Sequence, residues 1–138
     1  MITIYALQSS HCSSFIAKFC YKIWDKGNIL VLCPTEELRD DWDKILWTFH
    51  PTAFLPHARD IDEKAAQQPI LLSCAENPLN NAEVLLTTQP SKISDWQKFK
   101  QYIIVTKDTA EKTQQEIPQN LKKRCFIEDH NTWRELNL

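Results

Sequence analysis

His11 and Cys12 stand side by side, the residue types that make a thiolate nucleophile when an imidazole takes the thiol proton. Neighbours at a helix start point in different directions, so adjacency alone does not give that geometry. With Glu36 they form the candidate set for a small α/β enzyme or nucleotide-binding domain whose site lies at the carboxyl ends of the strands. The other histidines, His50, His57 and His130, fall in no nucleophile or metal signature. His50 and His57 flank a proline-rich aromatic loop, where a hydrogen-bonded structural role is expected. The five cysteines (Cys12, Cys20, Cys33, Cys74, Cys125) are odd in number, widely spaced and contain no Cys-x-x-Cys pair. They read as small buried hydrophobes in a reducing cytoplasm and offer no cluster for a metal.

The elements that would position a site suggest an α/β order. Residues 3–7 alternate as a strand, and from Ser10 to Lys26 the apolar residues Cys12, Ile16, Phe19, Cys20, Ile23 and Trp24 recur at helical spacing. Gly27 stands where helices commonly stop. Residues 29–33 are a continuous apolar run of the kind covered on both faces in a parallel sheet. Thr35 then caps a second helix with Glu36 and Glu37 in its first turn. Residues 70–72, 84–87 and 102–105 are further strands, Asp108 or Thr109 caps a helix after the last, and Pro118 ends or bends it. Arg59 to Gln68 reads as a loose polar connection. The expectation is one domain over residues 1–138, a Rossmann-like three-layer α/β/α fold with a mostly parallel sheet.

Phosphate-binding turns in such folds need glycines so that backbone amides can approach the ligand. This chain has one glycine, Gly27, placed before the second strand. The turns after the first two strands, Gln8-Ser9-Ser10-His11 and Pro34-Thr35-Glu36, hold none, and the second would set carboxylates against a phosphate. Nucleotide binding in the usual mode is therefore not expected. The N-terminus reads as a first strand rather than a signal peptide, and no apolar run approaches the roughly 20 residues that span a bilayer. A cytoplasmic protein without membrane contact is expected.

Net charge is −2, but residues 92–124 hold eight basic and four acidic side chains, leaving the remainder acidic. A basic C-terminal segment on an acidic body suits an anionic partner as well as a solvated surface. Trp42 to His57 carries the sharpest pattern. Leu38, Trp42, Ile45, Leu46 and Phe49 form one helical stripe, and Trp47 falls on the charged side with Glu36, Asp40, Asp43 and Lys44. Phe54-Leu55 follows between Pro51 and Pro56, a stiff frame that presents apolar tips at low entropic cost. Such aromatics dominate interfaces when a partner covers them, while a loop folding back over Trp47 is the intramolecular alternative.

The run Ile45-Leu46-Trp47-Thr48-Phe49-His50-Pro51-Thr52-Ala53-Phe54-Leu55-Pro56-His57, after an acidic helix and a Val31-Leu32-Cys33 strand end, resembles the signature of the DNA polymerase III chi subunit family. The resemblance is specific over residues 28–57, extends to the N-terminus and is looser over 69–105. It implies a non-catalytic adaptor with no cofactor and no metal, linking the clamp loader to the C-terminal tail of single-stranded DNA-binding protein. Its partner would be the small psi subunit or an equivalent, with a helicase as a further candidate and DNA contacted mainly indirectly. The resemblance assigns Trp47, Phe54 and Pro56 to the psi-facing surface, with Leu55 beside them.

Family members carry a basic, tyrosine-containing helix near the C-terminus, with several arginines and a glycine after it. This chain departs from that, offering Lys112, Lys122, Lys123 and Arg124 as the basic residues for an acidic tail. Val105 and Phe126 are the candidates for lining an apolar pocket for the tail's last ring.

Overall fold

The computed structural model describes residues 1–50 and 54–137. Eight strands and three helices alternate along it: β1 (Ile2–Ala6), α1 (Cys12–Ile23), β2 (Ile29–Leu32), α2 (Glu36–Thr48), β3 (His57–Arg59), β4 (Ile70–Ser73), β5 (Val84–Thr87), β6 (Gln101–Thr106), α3 (Ala110–Gln114), β7 (Lys123–Asp129) and β8 (Thr132–Leu136). They form one sheet in the order β3-β4-β2-β5-β6-β1-β7-β8. All neighbours run parallel except β7 and β8.

The continuous apolar runs occupy the middle of this sheet because both of its faces are covered. In β2 and β4 every residue is buried. Successive side chains alternate between two cores, as the two-residue period of a strand requires. Ile29, Val31, Ile70, Leu72 and Val105 pack beneath α1 and α2 with Ile16, Cys20, Trp42 and Leu46. Leu30, Leu32, Leu71, Leu85 and Ile104 pack on the opposite face with Phe99, Ala110 and Ile117. The result is the expected α/β class in three layers, compatible with a Rossmann-like fold.

Capping follows the sequence. Thr35 Oγ1 accepts from the Leu38 amide at 3.1 Å, and Thr109 Oγ1 from the Lys112 amide at 3.2 Å. Helix α1 runs from Cys12 to Ile23, shorter at both ends than the expected span from Ser10 to Lys26. Helix α3 ends at Gln114, ahead of Pro118.

Two parts differ from the sequence reading. The stretch from Arg59 is not a loose connection. It begins in β3, and the Arg59 guanidinium joins Asp62 at 2.9 Å and Asp40 of α2 at 3.1 Å, while Arg39 reaches Asp60 at 3.2 Å. Bonds from Arg39 and Arg59 hold the Asp40 carboxyl below its ordinary range. The C-terminal residues form the β7–β8 hairpin, turned by His130 and Asn131 with φ of 47° and 67°. Two successive left-handed residues make the type of turn that matches strand twist.

Candidate interaction surfaces

Helix α2 buries Arg39, Trp42 and Leu46 and leaves Trp47 on its outer side, 55% exposed. Trp47 lies one position, about 100°, beyond Leu46, which turns the indole out of the core. Phe54 is 62% exposed and places its ring 5.3 Å from the indole. Beneath them the buried His57 ring meets Trp47 edge-on at 4.7 Å. His57 is held through Nδ1, which bonds the Leu55 carbonyl, while its buried Nε2 lies 3.2 Å from Asp43 Oδ1 without a hydrogen bond. The imidazole therefore works as a pinned base for an exposed pair of rings, in keeping with the structural role expected of it. Trp47 and Phe54 lean on each other, and Trp47 stays more than half exposed.

Leu55 does not share that exposure. It is 3% exposed and belongs to the core beneath α1 and α2. Consecutive residues entering a strand point to opposite sides, so Phe54 outward sends Leu55 inward. Pro56 is half-buried beside them. Pro51, Thr52 and Ala53 lie outside the described residues.

The basic candidates do not form one patch. Lys123 pairs in register with Ile2, whose side chain belongs to the α3-side core, and Lys112 is exposed on α3 itself. Arg124 pairs with Thr3 and faces the α1 side. There it joins Glu135 at 2.8 Å and stacks its guanidinium 5.1 Å from the Phe126 ring. Lys123 Nζ donates to the Leu121 carbonyl at 2.9 Å, and Lys122 is exposed ahead of β7. Val105 is wholly buried in β6, so it lines no open pocket. Phe126 is half-buried and stacks on Tyr5 at 5.5 Å.

The enzyme candidates are also kept apart. His11 is exposed and Cys12 half-buried after β1, whereas Glu36 is exposed after β2. Strands β6 and β5 lie between β1 and β2, a separation of about 14 Å at ordinary strand spacing. Burial pushes the Cys12 thiol above its ordinary pKa despite Lys107 nearby, the reverse of nucleophile activation.

The turn after β1 holds a group that sequence reasoning missed. The amides of Gln8, Ser9 and Ser10 all donate to Glu128 Oε1, at 3.0, 2.9 and 2.9 Å. The hydroxyls of Ser9 and Ser10 bond the same carboxylate. Burial pushes the Glu128 pKa up, but these donors outweigh it, Ser10 foremost, and hold it down to about 2. In dinucleotide-binding α/β folds the turn after the first strand approaches a phosphate; here its amides hold the chain's own carboxylate. Serines two residues before a helix were the visible signal; their acceptor, 118 residues away, was not. Among the described residues no group of three His, Cys, Asp or Glu side chains is arranged to hold a metal, and no helix is long and apolar enough to cross a membrane.

Comparison with known proteins agrees with the signature around Trp47. Residues 1–118 match the family described as DNA polymerase III chi subunit, HolC. A probable DNA polymerase III subunit chi of Rickettsia prowazekii is 37% identical over 65 residues, 47% of this chain and 39% of that protein. The DNA polymerase III subunit chi of Pseudomonas aeruginosa is 29% identical over 89 residues, 62% of this chain and 61% of that protein. The match thus spans about two fifths and three fifths of these relatives' own lengths. With the family match covering most of its length, this chain belongs to the DNA polymerase III chi subunit family.

Proposed function

We propose that this chain is a non-catalytic adaptor of the bacterial DNA polymerase III holoenzyme. It would join the clamp loader, through psi or an equivalent partner, to the C-terminal tail of single-stranded DNA-binding protein. The observation that carries this reading is the open pair Trp47 and Phe54 on a pinned His57 base. Rings already held in place give up little conformational freedom on docking, so most of their burial contributes to affinity. Pro56 borders this surface; Leu55 supports it from below. A helicase is a second occupant for the same rings, and DNA is reached mainly through the protein partners. For the acidic tail, Lys112 on α3 and Lys122 after it are exposed cations, and the tail's attraction to them falls with ionic strength.

The test is capture of partners from a bacterial lysate by wild-type protein and by the Trp47→Ala, Phe54→Ala double variant. Loss of a psi-like or clamp-loader partner with little change in melting temperature supports the reading. Equal capture by both proteins refutes it. An immobilised tail peptide from single-stranded DNA-binding protein tests the other contact, and no binding at low salt removes that half.

A further inference from the structure

Cys33 and Cys74 directly follow β2 and β4, two adjacent strands of the sheet. Leu32 pairs with Ser73, and the Cys33 amide donates to the Ser73 carbonyl at 2.7 Å. The next step of this parallel ladder sets Cys33 beside Cys74. Neighbouring strands lie about 4.8 Å apart, within the roughly 4.4–6.8 Å between Cα atoms that a disulfide spans. Val31, Cys33 and Leu72 all pack on the α1 and α2 side, and the two-residue period carries Cys74 to that same face. Both thiols are free. Cys33 is 1% exposed, whereas Cys74 is exposed, unlike the buried thiol expected from the sequence.

We propose that Cys33 and Cys74 form a dithiol site that low-molecular-weight disulfides, oxidised glutathione among them, convert to an intramolecular disulfide. The exposed Cys74 thiolate attacks one sulfur of the small disulfide. That S–S bond breaks as a mixed disulfide forms on Cys74, and the first small thiolate leaves and takes up the proton Cys74 gave up. Cys33 then attacks Cys74 Sγ, the mixed disulfide breaks, and the second small thiolate takes the proton of Cys33. Two protein thiols lose two electrons, and one small disulfide is reduced to two thiols. Local charge sets the rate. Burial raises the Cys33 thiol most and neighbouring Cys74 adds to it, while a hydrogen bond with the Ser73 backbone and the Arg39 charge oppose them. Desolvation raises the Cys74 thiol too, with Arg39 the next influence and opposite in sign. Exchange is therefore slow at neutral pH and quickens toward alkaline pH as the thiolates form.

The bond has a structural consequence that does not rest on the adaptor reading above. It closes a ring over residues 33–74 that contains α2 and β3. Joining two strands already in register, it restricts the unfolded chain more than it alters the folded one, so the oxidised protein resists unfolding. The remaining cysteines are placed differently. Cys12 opens α1, Cys20 is buried within it, and Cys125 of β7 has Ile4 and Leu136 as its strand partners.

Mass spectrometry of the full chain tests the proposal, after the reduced protein is incubated with oxidised glutathione at mildly alkaline pH and quenched with an alkylating agent. The protein should lose two hydrogens and retain no glutathione, and trypsin should release peptides 27–39 and 65–92 joined by a disulfide. Cys33→Ala should instead trap glutathione on Cys74, because no second thiol displaces it, and Cys74→Ser should leave Cys33 unmodified. Should Cys33→Ala fail to fold, the joined wild-type peptides decide the matter. The disulfide form should melt several degrees above the same sample reduced with dithiothreitol. A lasting glutathione adduct on the wild type, a bond between other cysteines or between two chains, or no reaction where the urea-unfolded chain is oxidised overturns the proposal. A melting temperature unchanged or lowered by the bond does so too, since the strand ends would then not stand in the geometry a disulfide needs.

Discussion

Replacing Glu128 by glutamine keeps the side chain's shape and removes its charge. The native carboxylate accepts three amide and two hydroxyl bonds, and these hold its pKa at about 2 against an ordinary 4.5. Each unit of such a shift is worth about 1.4 kcal/mol, which sets an upper value of about 3 kcal/mol. The group borders an open cavity, and water screening there reduces the expectation to about 2 kcal/mol. Glutamine also turns an amide NH₂ toward donors that need an acceptor. Urea unfolding of wild type and Glu128→Gln between pH 7 and pH 2 reads the effect through the shift in midpoint at constant slope. Above pH 5 the wild-type advantage should be full, because the unfolded carboxyl is already ionised. As pH falls from about 5 toward 2 the unfolded state takes up a proton that the folded state resists, and the advantage should fade. A difference that is the same at every pH, or below about 0.5 kcal/mol at pH 7, refutes the charge-based account.

The adjacent residues Phe54 and Leu55 should behave oppositely. Leu55→Ala should cost about 2–5 kcal/mol in urea unfolding as a core truncation, while Phe54→Ala leaves stability nearly unchanged. Asn80 is 1% exposed, and its Nδ2 donates to the Ile29, Gln68 and Pro69 carbonyls. Asn80→Ala should therefore cost about 1–3 kcal/mol, and a change below 0.5 kcal/mol would show these bonds to be replaceable, by about the margin expected of a surface site. In a native thiol titration with an aromatic disulfide, exposed Cys74 should react first. Cys20, with its thiol pushed up to about 12 by burial, should react only on unfolding.

The interior of the fold was legible where one segment's own pattern decides its fate. Residues 29–32 are apolar throughout because both faces of β2 are covered, and Thr35 announces α2 through a bond to an amide three residues on. The outward turn of Trp47 was legible for the same reason, since helical period alone separates it from Leu46. What failed depends on partners far along the chain. Leu55 looked like part of an exposed tip until the start of β3 set its direction. The basic residues 122–124 looked contiguous, but a strand sends neighbours to opposite faces, which divides Lys123 from Arg124. The hairpin escaped notice because charged residues break the apolar alternation of β7, and its turn uses His130 and Asn131 in place of glycine. Glu128 carried no local sign of its bonds to residues 8–10.

The strand order bears on the timing of folding. β1 is made before both its neighbours, which lie about a hundred residues further along, with Ile2 aligned to Tyr102 on one side and to Lys123 on the other. During synthesis β1 has no neighbouring strand to pair with until β6 has left the ribosome. The units that can assemble early are β2, β4 and their covering helix α2. Closing so long a loop is an entropic cost met before its contacts form, so docking of β1 is a late event and a slow one. Nascent chains halted before residue 101 should expose the N-terminal segment to proteases and chaperones, and those halted after β7 should protect it.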